Sequence, residues 1–427
     1  MIIHVVSQGD TVWKIAEEYG VSPQRVAADN GLVQNRLVIG QALLILIPDI
    51  VHTVRRGETL ADIAREYGVT EMELIQNNSD LGLNRNIYTG QTLVISYTNR
   101  KQRSIAVNGY AYTDIMPSVL KRTLPYLSSL TIFGYGISKE GELIPIDDDP
   151  LIEMAWQNES APVMVLSSIT EDGTFSGTRA RALFRDLALQ NKVLNQVIAL
   201  MRQKGYVGLD IDFEYIPAED AEYFLDFLRN AANKLHAAGY RMNTDLAPKT
   251  SAGQSGLLYE SHDYAQVGAI SDTVLLMTYE WGYTYGPPMA VAPINQVRRV
   301  VEYAVTEIPP EKIMLGIPNY AYDWILPFEK GITRATGIGN EYAVQVAAKN
   351  GAEIQFDPIA QSPYFYYWDR ERRQHVVWFE DVRSIQAKYN LVSEFGLRGA
   401  GYWNVMRLFQ QNWMYASAKY EIRKPEF

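Results

Sequence analysis

Between Ser104 and Leu408, eight apolar runs of strand length alternate with segments of helical periodicity, and nothing else in this chain limits its folding choices as much. The runs cover residues 105–108, 130–135, 163–166, 207–213, 242–246, 273–277, 313–317 and 400–403. Apolar runs set between helices read as parallel strands buried on both faces, and eight of them close into a (β/α)8 TIM barrel of the α/β class. The interval between the seventh and eighth runs is longer. It holds residues 364–368 and 376–379 around Asp369-Arg370-Glu371-Arg372, which predicts a hairpin in a small α+β insertion over the barrel mouth.

The fourth run carries the chemistry. In the stretch GYVGLDIDFE, residues 205–214, Asp210, Asp212 and Glu214 alternate with Leu209, Ile211 and Phe213. A period of two puts three carboxyls on one face and the apolar side chains on the other. Leu183, Leu187, Val193, Leu194, Val197 and Leu200 give helical spacing over residues 179–203, ending at Lys204-Gly205. Tyr215-Ile216-Pro217 stops the strand, and Phe224, Phe227, Leu228 and Leu235 mark a helix over 218–236. The carboxyls therefore end a buried parallel strand, where α/β folds place their chemistry. Three acids so close cannot all ionise cheaply, so at least one holds a proton near neutral pH. A protonated acid beside carboxylates suits cleavage of a glycosidic bond, whose leaving oxygen needs a proton. An acidic strand end or a cation site would show the same alternation.

Charge and composition narrow the partners. Lys and Arg total 39 against 49 for Asp and Glu, a net charge of −10, which disfavours nucleic acid and anionic membrane surfaces. Cysteine is absent, and the five histidines, His4, His52, His236, His262 and His375, form no metal-ligand spacing. Hydrolysis without a metal or cofactor is expected. The longest apolar run, residues 37–47, is broken at Gly40-Gln41 and is too short to span a bilayer. Met1-Ile2-Ile3-His4 lacks a charged start followed by a hydrophobic core, so no signal peptide is expected.

The first hundred residues contain a repeat. His4-Val5-Val6-Ser7-Gln8-Gly9-Asp10-Thr11-Val12 returns as His52-Thr53-Val54-Arg55-Arg56-Gly57-Glu58-Thr59-Leu60, an offset of 52 − 4 = 48. Ile15-Ala16, Tyr19-Gly20-Val21 and Asn30 recur as Ile63-Ala64, Tyr67-Gly68-Val69 and Asn78, while Gly40-Gln41 and Gly90-Gln91 differ by 50 and place a two-residue insertion in the second copy's loop. Each copy reads as a βααβ unit whose Gly-Asp/Glu-Thr turn caps a helix, with Trp13, Ile15, Val26, Leu60, Ile63 and Leu74 as its core. The pattern resembles the LysM module, which implies binding to the N-acetyl groups and backbone of peptidoglycan or chitin. By that resemblance the glycan lies along Gly9, Asp10, Thr11 and Asn30, and along Gly57, Glu58, Thr59 and Asn78. Asp10, Thr11, Glu58 and Thr59 are equally readable as helix caps, with loop backbone doing much of the binding. Two weak sites on one chain favour a repetitive, insoluble polymer.

Residues 207–214 resemble the DGxDxDxE signature of glycoside hydrolase family 18, with Val207 in place of the first Asp and Gly208, Asp210, Asp212 and Glu214 in register. Met277-Thr278-Tyr279-Glu280-Trp281-Gly282 is similar to the family's sixth-strand MxYD motif, with Glu280 where Asp is usual. Leu315-Gly316-Ile317-Pro318-Asn319-Tyr320 resembles its seventh-strand segment and Gly401-Tyr402-Trp403-Asn404 its eighth-strand tryptophan. The third-strand SxGG is not evident at Leu166-Ser167-Ser168-Ile169. The resemblance implies retaining hydrolysis in which the substrate's own N-acetyl oxygen attacks the anomeric carbon. It makes Glu214 the acid and later the base, Asp212 the orienter of the acetamido N–H, Asp210 the group sharing its proton, and Tyr279 a donor to the acetamido carbonyl. Trp403 would floor the sugar site, with Met277, Trp281, Asn319, Tyr320 and Asn404 as further binding residues, although Trp281, Glu280, Asn319 and Tyr320 are equally readable as packing at the barrel mouth.

The expected division is two LysM domains at 1–48 and 50–97, a polar linker at 98–103 and a catalytic barrel at 104–427. The architecture also resembles the spore cortex-fragment lytic enzymes of endospore formers. That implies an N-acetylglucosaminidase acting on cortex peptidoglycan during germination, located in the spore and expected to act as a monomer. A chitinase, or a wall-binding lectin without catalysis, would share most of these features.

Overall fold

The computed structural model describes residues 1–81 and 83–425, so the expected end of the catalytic domain at 427 lies outside the described residues. Eight strands form a closed parallel barrel: Ser104–Tyr112, Ser129–Ile137, Ala161–Ser167, Gly208–Asp212, Arg241–Leu246, Thr273–Leu276, Ile313–Pro318 and Gly399–Trp403. Each pairs in parallel with the next, and the eighth pairs with the first, Gly401 against Asn108. Every predicted run is a barrel strand.

The fourth strand shows why the alternation works. Leu209, Ile211 and Phe213 are buried against the surrounding helices, where Phe213 meets Phe184 and Phe227 edge-on. Their neighbours Asp210 and Asp212 are thereby turned into the barrel interior. The strand itself stops at Asp212, so Glu214 stands on the loop just beyond it. The single helix predicted over 179–203 is two helices, Gly177–Arg185 and Leu187–Lys204. Asp186 breaks it: its backbone is extended and its side chain accepts from the N–H groups of Ala188 and Leu189, capping the second helix. Gly205, at φ 82°, ends that helix in the left-handed region.

The insertion between the seventh and eighth barrel strands is larger than the predicted hairpin. It is a five-stranded antiparallel sheet in the order Thr336–Ile338, Ala321–Leu326, Gln374–Trp378, Ser362–Trp368, Gln355–Asp357, with the helix Asn340–Asn350 packed on it. Two of these strands have three residues, too few to carry a period. Ala321–Leu326 follows the seventh strand so closely that the sequence reads as its continuation.

Each amino-terminal repeat folds as strand, helix, helix, strand: Ile2–Val5, Val12–Tyr19, Pro23–Asp29, Ala42–Ile45 and Pro48–Thr53, Leu60–Tyr67, Glu71–Asn77, Thr92–Tyr97. Ile15, Val26, Ile63 and Leu74 are core, with Leu60 at its margin. Trp13 is not: it is 64% exposed, and Val12, which the repeat aligns with Leu60, occupies the core position instead.

The repeats are docked on the barrel rather than tethered to it. Ala42, Leu44, Leu46, Val94 and Tyr97 share one apolar core with the barrel's helices. Gln411 Nε2 donates to Asn30 Oδ1 and to the Ala42 carbonyl, Gln76 Nε2 donates to the Pro125 carbonyl, and Ile354 N–H donates to the Ile39 carbonyl. The polar segment 98–103 is likewise bonded, with Gln102 N–H donating to the Lys419 carbonyl and Arg103 to that of Val392. Among the described residues, no helix is long and apolar enough to cross a membrane.

Candidate active site

The carboxyl ends of the barrel strands open into a cleft of about 1010 Å³ whose lining includes Asp212, Glu214, Asp245, Tyr279, Trp281 and Trp403. Asp210 lies beneath it, in the barrel interior and fully enclosed. Its Oδ2 accepts from the Tyr110 hydroxyl at 2.6 Å and its Oδ1 from Asn243 Nδ2 at 2.6 Å. Strand pairing sets Asp210 beside Asn243 on one side and Val165 on the other, and Asp212 beside Ser167. Asp212 is buried, and its Oδ1 has no hydrogen-bond partner within the protein.

Burial raises every acid of this ladder. Asp210 is pushed up to about 6, with Tyr110 and Asn243 opposing the shift by bonding the anion. Asp212 is held well above the carboxylate range by burial and then by the charges of Glu214 and Asp210. Glu214 is raised by burial and by the nearby charge of Glu280. Acids this close share their protons, so the set holds a proton more tightly than a free carboxyl would. The backbone leading to Glu214 is fixed from behind by buried His262, whose Nε2–H donates to the Phe213 carbonyl at 3.2 Å while Nδ1 accepts from Ala247 N–H at 2.9 Å. Burial holds this imidazole neutral, its pKa lowered to about 4.

The aromatic part of the site comes from other strands. Trp403, at the end of the eighth strand, packs edge-on against Phe133 and Tyr112 with centroids 5.2 and 5.8 Å away. Tyr279 and Met277 follow the sixth strand and also line the cleft, as does Trp281.

Asn319, Tyr320 and Asn404 stand elsewhere. Asn319 is buried and its Nδ2 donates to the carbonyls of Asn404 and Arg407, tying down the loop after Trp403. Tyr320 is buried and donates its hydroxyl to Glu280, so it supports the cleft from outside. None of these three lines the cleft, and Asn319 and Tyr320 fit the alternative reading as packing around its mouth. Sequence reasoning missed Tyr110, Asn243, Asp245 and His262. Asn243 and Asp245 carried a signal, a polar period of two inside the fifth apolar run.

The repeats also redistribute their expected roles. Asp10 Oδ2 accepts from Ser7 N–H at 2.7 Å and pairs with His4, and Glu58 Oε2 accepts from Arg55 N–H at 2.6 Å and pairs with His52. Thr11 and Thr59 cap their helices, and Gly9 and Gly57 take φ near 90° to make the turn. Asn30 and Asn78 are buried, their amides bonded to the backbone of Leu44 and Val94 on the closing strands. Both amides clasp the end of the second helix to the closing strand. The second copy has an open groove of about 650 Å³, bounded by Glu58, Thr59 and Tyr88 and, from the barrel, Gln157 and Glu159. Tyr88 is 68% exposed, whereas its counterpart in the first copy, Val38, is 5% exposed within the insertion's core.

Residues 132–407 match glycosyl hydrolases family 18, and residues 4–46 and 52–96 each match the LysM domain. The chain belongs to glycosyl hydrolase family 18. A cortical fragment-lytic enzyme of Bacillus subtilis is 39% identical over the whole of both chains, and one from Bacillus anthracis is 38% identical over 99% of each. The structure also aligns with the spore cortex-lytic enzyme SleL of Bacillus megaterium, at TM-score 0.83 and 36% identity, covering 99% of each chain. Family 18 membership makes this barrel a glycosidase.

Proposed function

We propose that this protein is an N-acetylglucosaminidase of the bacterial endospore that cleaves cortex peptidoglycan, or fragments of it, after N-acetylglucosamine during germination. The observation that carries the reading is the stacking of Asp210, Asp212 and Glu214 toward a cleft that also presents Tyr279 and Trp403. Its biological setting rests on the full-length likeness to cortical fragment-lytic enzymes.

Glu214 donates its proton to the glycosidic oxygen as the C1–O bond breaks, while the sugar's acetamido oxygen attacks C1 and closes an oxazolinium ring. Asp212 accepts from the acetamido N–H, which orients the nucleophile and offsets the positive charge of the ring. Asp210 takes up the proton that Asp212 must release to do so. Tyr279 donates to the acetamido oxygen, and Trp403 gives the sugar an apolar floor. Glutamate 214, now ionised, removes a proton from the water that opens the ring, so configuration at C1 is retained. The LysM pair holds the enzyme on the same polymer.

One feature of the cleft favours peptidoglycan over chitin. Among the described residues that line it, Arg299 is the only cation, and its one side-chain hydrogen bond is to Gln296 at 3.3 Å, with no carboxylate partner. Chitin is neutral, whereas muramic acid brings a lactyl group that ends in a carboxylate or a peptide stem. Arg299 suits such an anion.

Digestion of purified cortex fragments, borohydride reduction of the new ends and mass spectrometry of the products test the reading. Reduced N-acetylglucosamine ends are expected, with slower cleavage of chitin oligomers in the same assay. Reduced muramic acid ends, or faster cleavage of chitin, would overturn it.

A further inference from the structure

Asp245 is a fourth carboxyl of the cleft, on the fifth strand, 4% exposed and without a role in the scheme above. The Tyr110 hydroxyl lies 2.6 Å from Asp210 Oδ2 and 2.9 Å from Asp245 Oδ1. Asn243 Nδ2 bridges the same two carboxyls, at 2.6 Å from Asp210 Oδ1 and 3.1 Å from Asp245 Oδ1, while its own Oδ1 accepts from Thr273. An amide has two hydrogens and can serve both acids. A phenol has one.

Tyr110 can therefore donate to only one carboxylate, and its second contact needs a proton supplied from the other side. The shorter contact identifies the anion, since hydroxyl-to-carboxylate bonds run at about 2.5–2.7 Å. Asp210 has that distance to Tyr110, together with the closer Asn243 contact. The remaining proton belongs on Asp245.

We propose that Asp245 works as a neutral carboxylic acid that donates to the Tyr110 hydroxyl, which donates in turn to Asp210, so that this relay keeps Asp210 ionised to receive the proton of Asp212. It is a positioning residue, acting on the reaction only through Asp210, and it rests on the reaction proposed above. The groups facing it are consistent with a neutral acid: Tyr110 from the first strand, Asp210, Asp212 and Glu214 from the fourth strand and its loop, and Tyr279 beyond the sixth. Burial and then the charges of Asp210 and Asp212 hold Asp245 well above the carboxylate range, whereas Asp210 reaches only about 6. Protein sites elsewhere keep an acid neutral in this way so that it can donate a hydrogen bond.

Infrared difference spectra of the free, full-length protein and two variants provide the test. At pH 7, Asp245→Asn should remove the carbonyl stretch of a neutral acid, and loss of a carboxylate band instead would overturn the proposal. On cortex fragments, Asp245→Asn, whose amide can still donate to Tyr110, should lower kcat about threefold and leave the acidic limb of the pH profile in place. Asp245→Ala removes the donor, so the acidic limb should move up by about one pH unit as Asp210 becomes harder to ionise. Equal acidic limbs in the two variants would also overturn it. Failure of the unaltered enzyme to cut cortex fragments overturns the proposed reaction and the relay's role in it. An active enzyme whose Asp245→Asn difference spectrum shows no loss of neutral-acid absorption overturns the relay alone.

Discussion

The Tyr322 hydroxyl donates to Glu280 Oε1 at 3.1 Å, and together with Tyr320 it fixes a carboxylate whose backbone lies in the left-handed region at φ 66°. Glu280 is where the family motif usually has Asp, and its longer side chain is held at the cleft by two phenols that a shorter acid would reach less well. Its charge adds to burial in raising Glu214. Replacing Glu280 with Gln removes a negative neighbour, stabilises ionised Glu214 and lowers its pKa. The alkaline limb of kcat/KM should therefore move to lower pH, by about half to one unit. A pH series on cortex fragments reads this directly, and an unmoved limb would show that Glu280 does not act on Glu214.

In the proposed reading, Arg299 distinguishes charged from neutral glycans. Arg299→Gln should reduce kcat/KM on muramic acid-containing fragments by about tenfold, the worth of one charge-assisted hydrogen bond. Turnover of chitin oligomers should change less than twofold. Parallel kinetics on the two substrates check this, and equal losses on both would remove the basis for preferring peptidoglycan.

His262 predicts an acid-sensitive fold. Its folded pKa, lowered to about 4, lies below the unfolded value, so the unfolded chain binds the extra proton between the two. The associated stability is complete above about pH 6.5 and is lost as pH falls toward 4, to a total of about 3 kcal/mol. His262→Gln should lower Tm at pH 7 and flatten its decline between pH 6.5 and 4. Melting curves across that range test the sign. A parallel decline in both proteins would contradict the assignment.

In the repeats, Leu74→Ala should cost about 2–5 kcal/mol of stability because the side chain is fully enclosed. Trp13→Ala, on an exposed site, should stay within about 0.5 kcal/mol. Denaturant titration of the full chain distinguishes the two.

The barrel was legible because each of its strands is long, apolar and set between helices with clear periodicity. The ladder was legible because a period of two cannot hide three acids in five residues. Trp13 was misplaced because it and Val12 are adjacent, and a single helical turn does not tell which one faces inward. Asn319 and Tyr320 read equally as binding or packing residues because they follow a strand end, and only their long-range partners, the Asn404 carbonyl and Glu280, show what they hold. What joined Asp245 and Tyr110 to the site was barrel closure, which brings the first and fifth strands together across the interior. No local pattern carries that contact. The docking of the first repeat on the insertion, through Val38, is hidden in the same way.

Turnover of cortex fragments by Glu214→Gln is the most direct measurement of the central claim. The variant keeps the size and hydrogen-bonding shape of the side chain but cannot donate the proton, so release of new reducing ends should fall by at least about a thousandfold while binding to the fragments persists. Reducing-end release within a few-fold of the unaltered enzyme would contradict the assignment of Glu214 as the acid and the mechanism built on it.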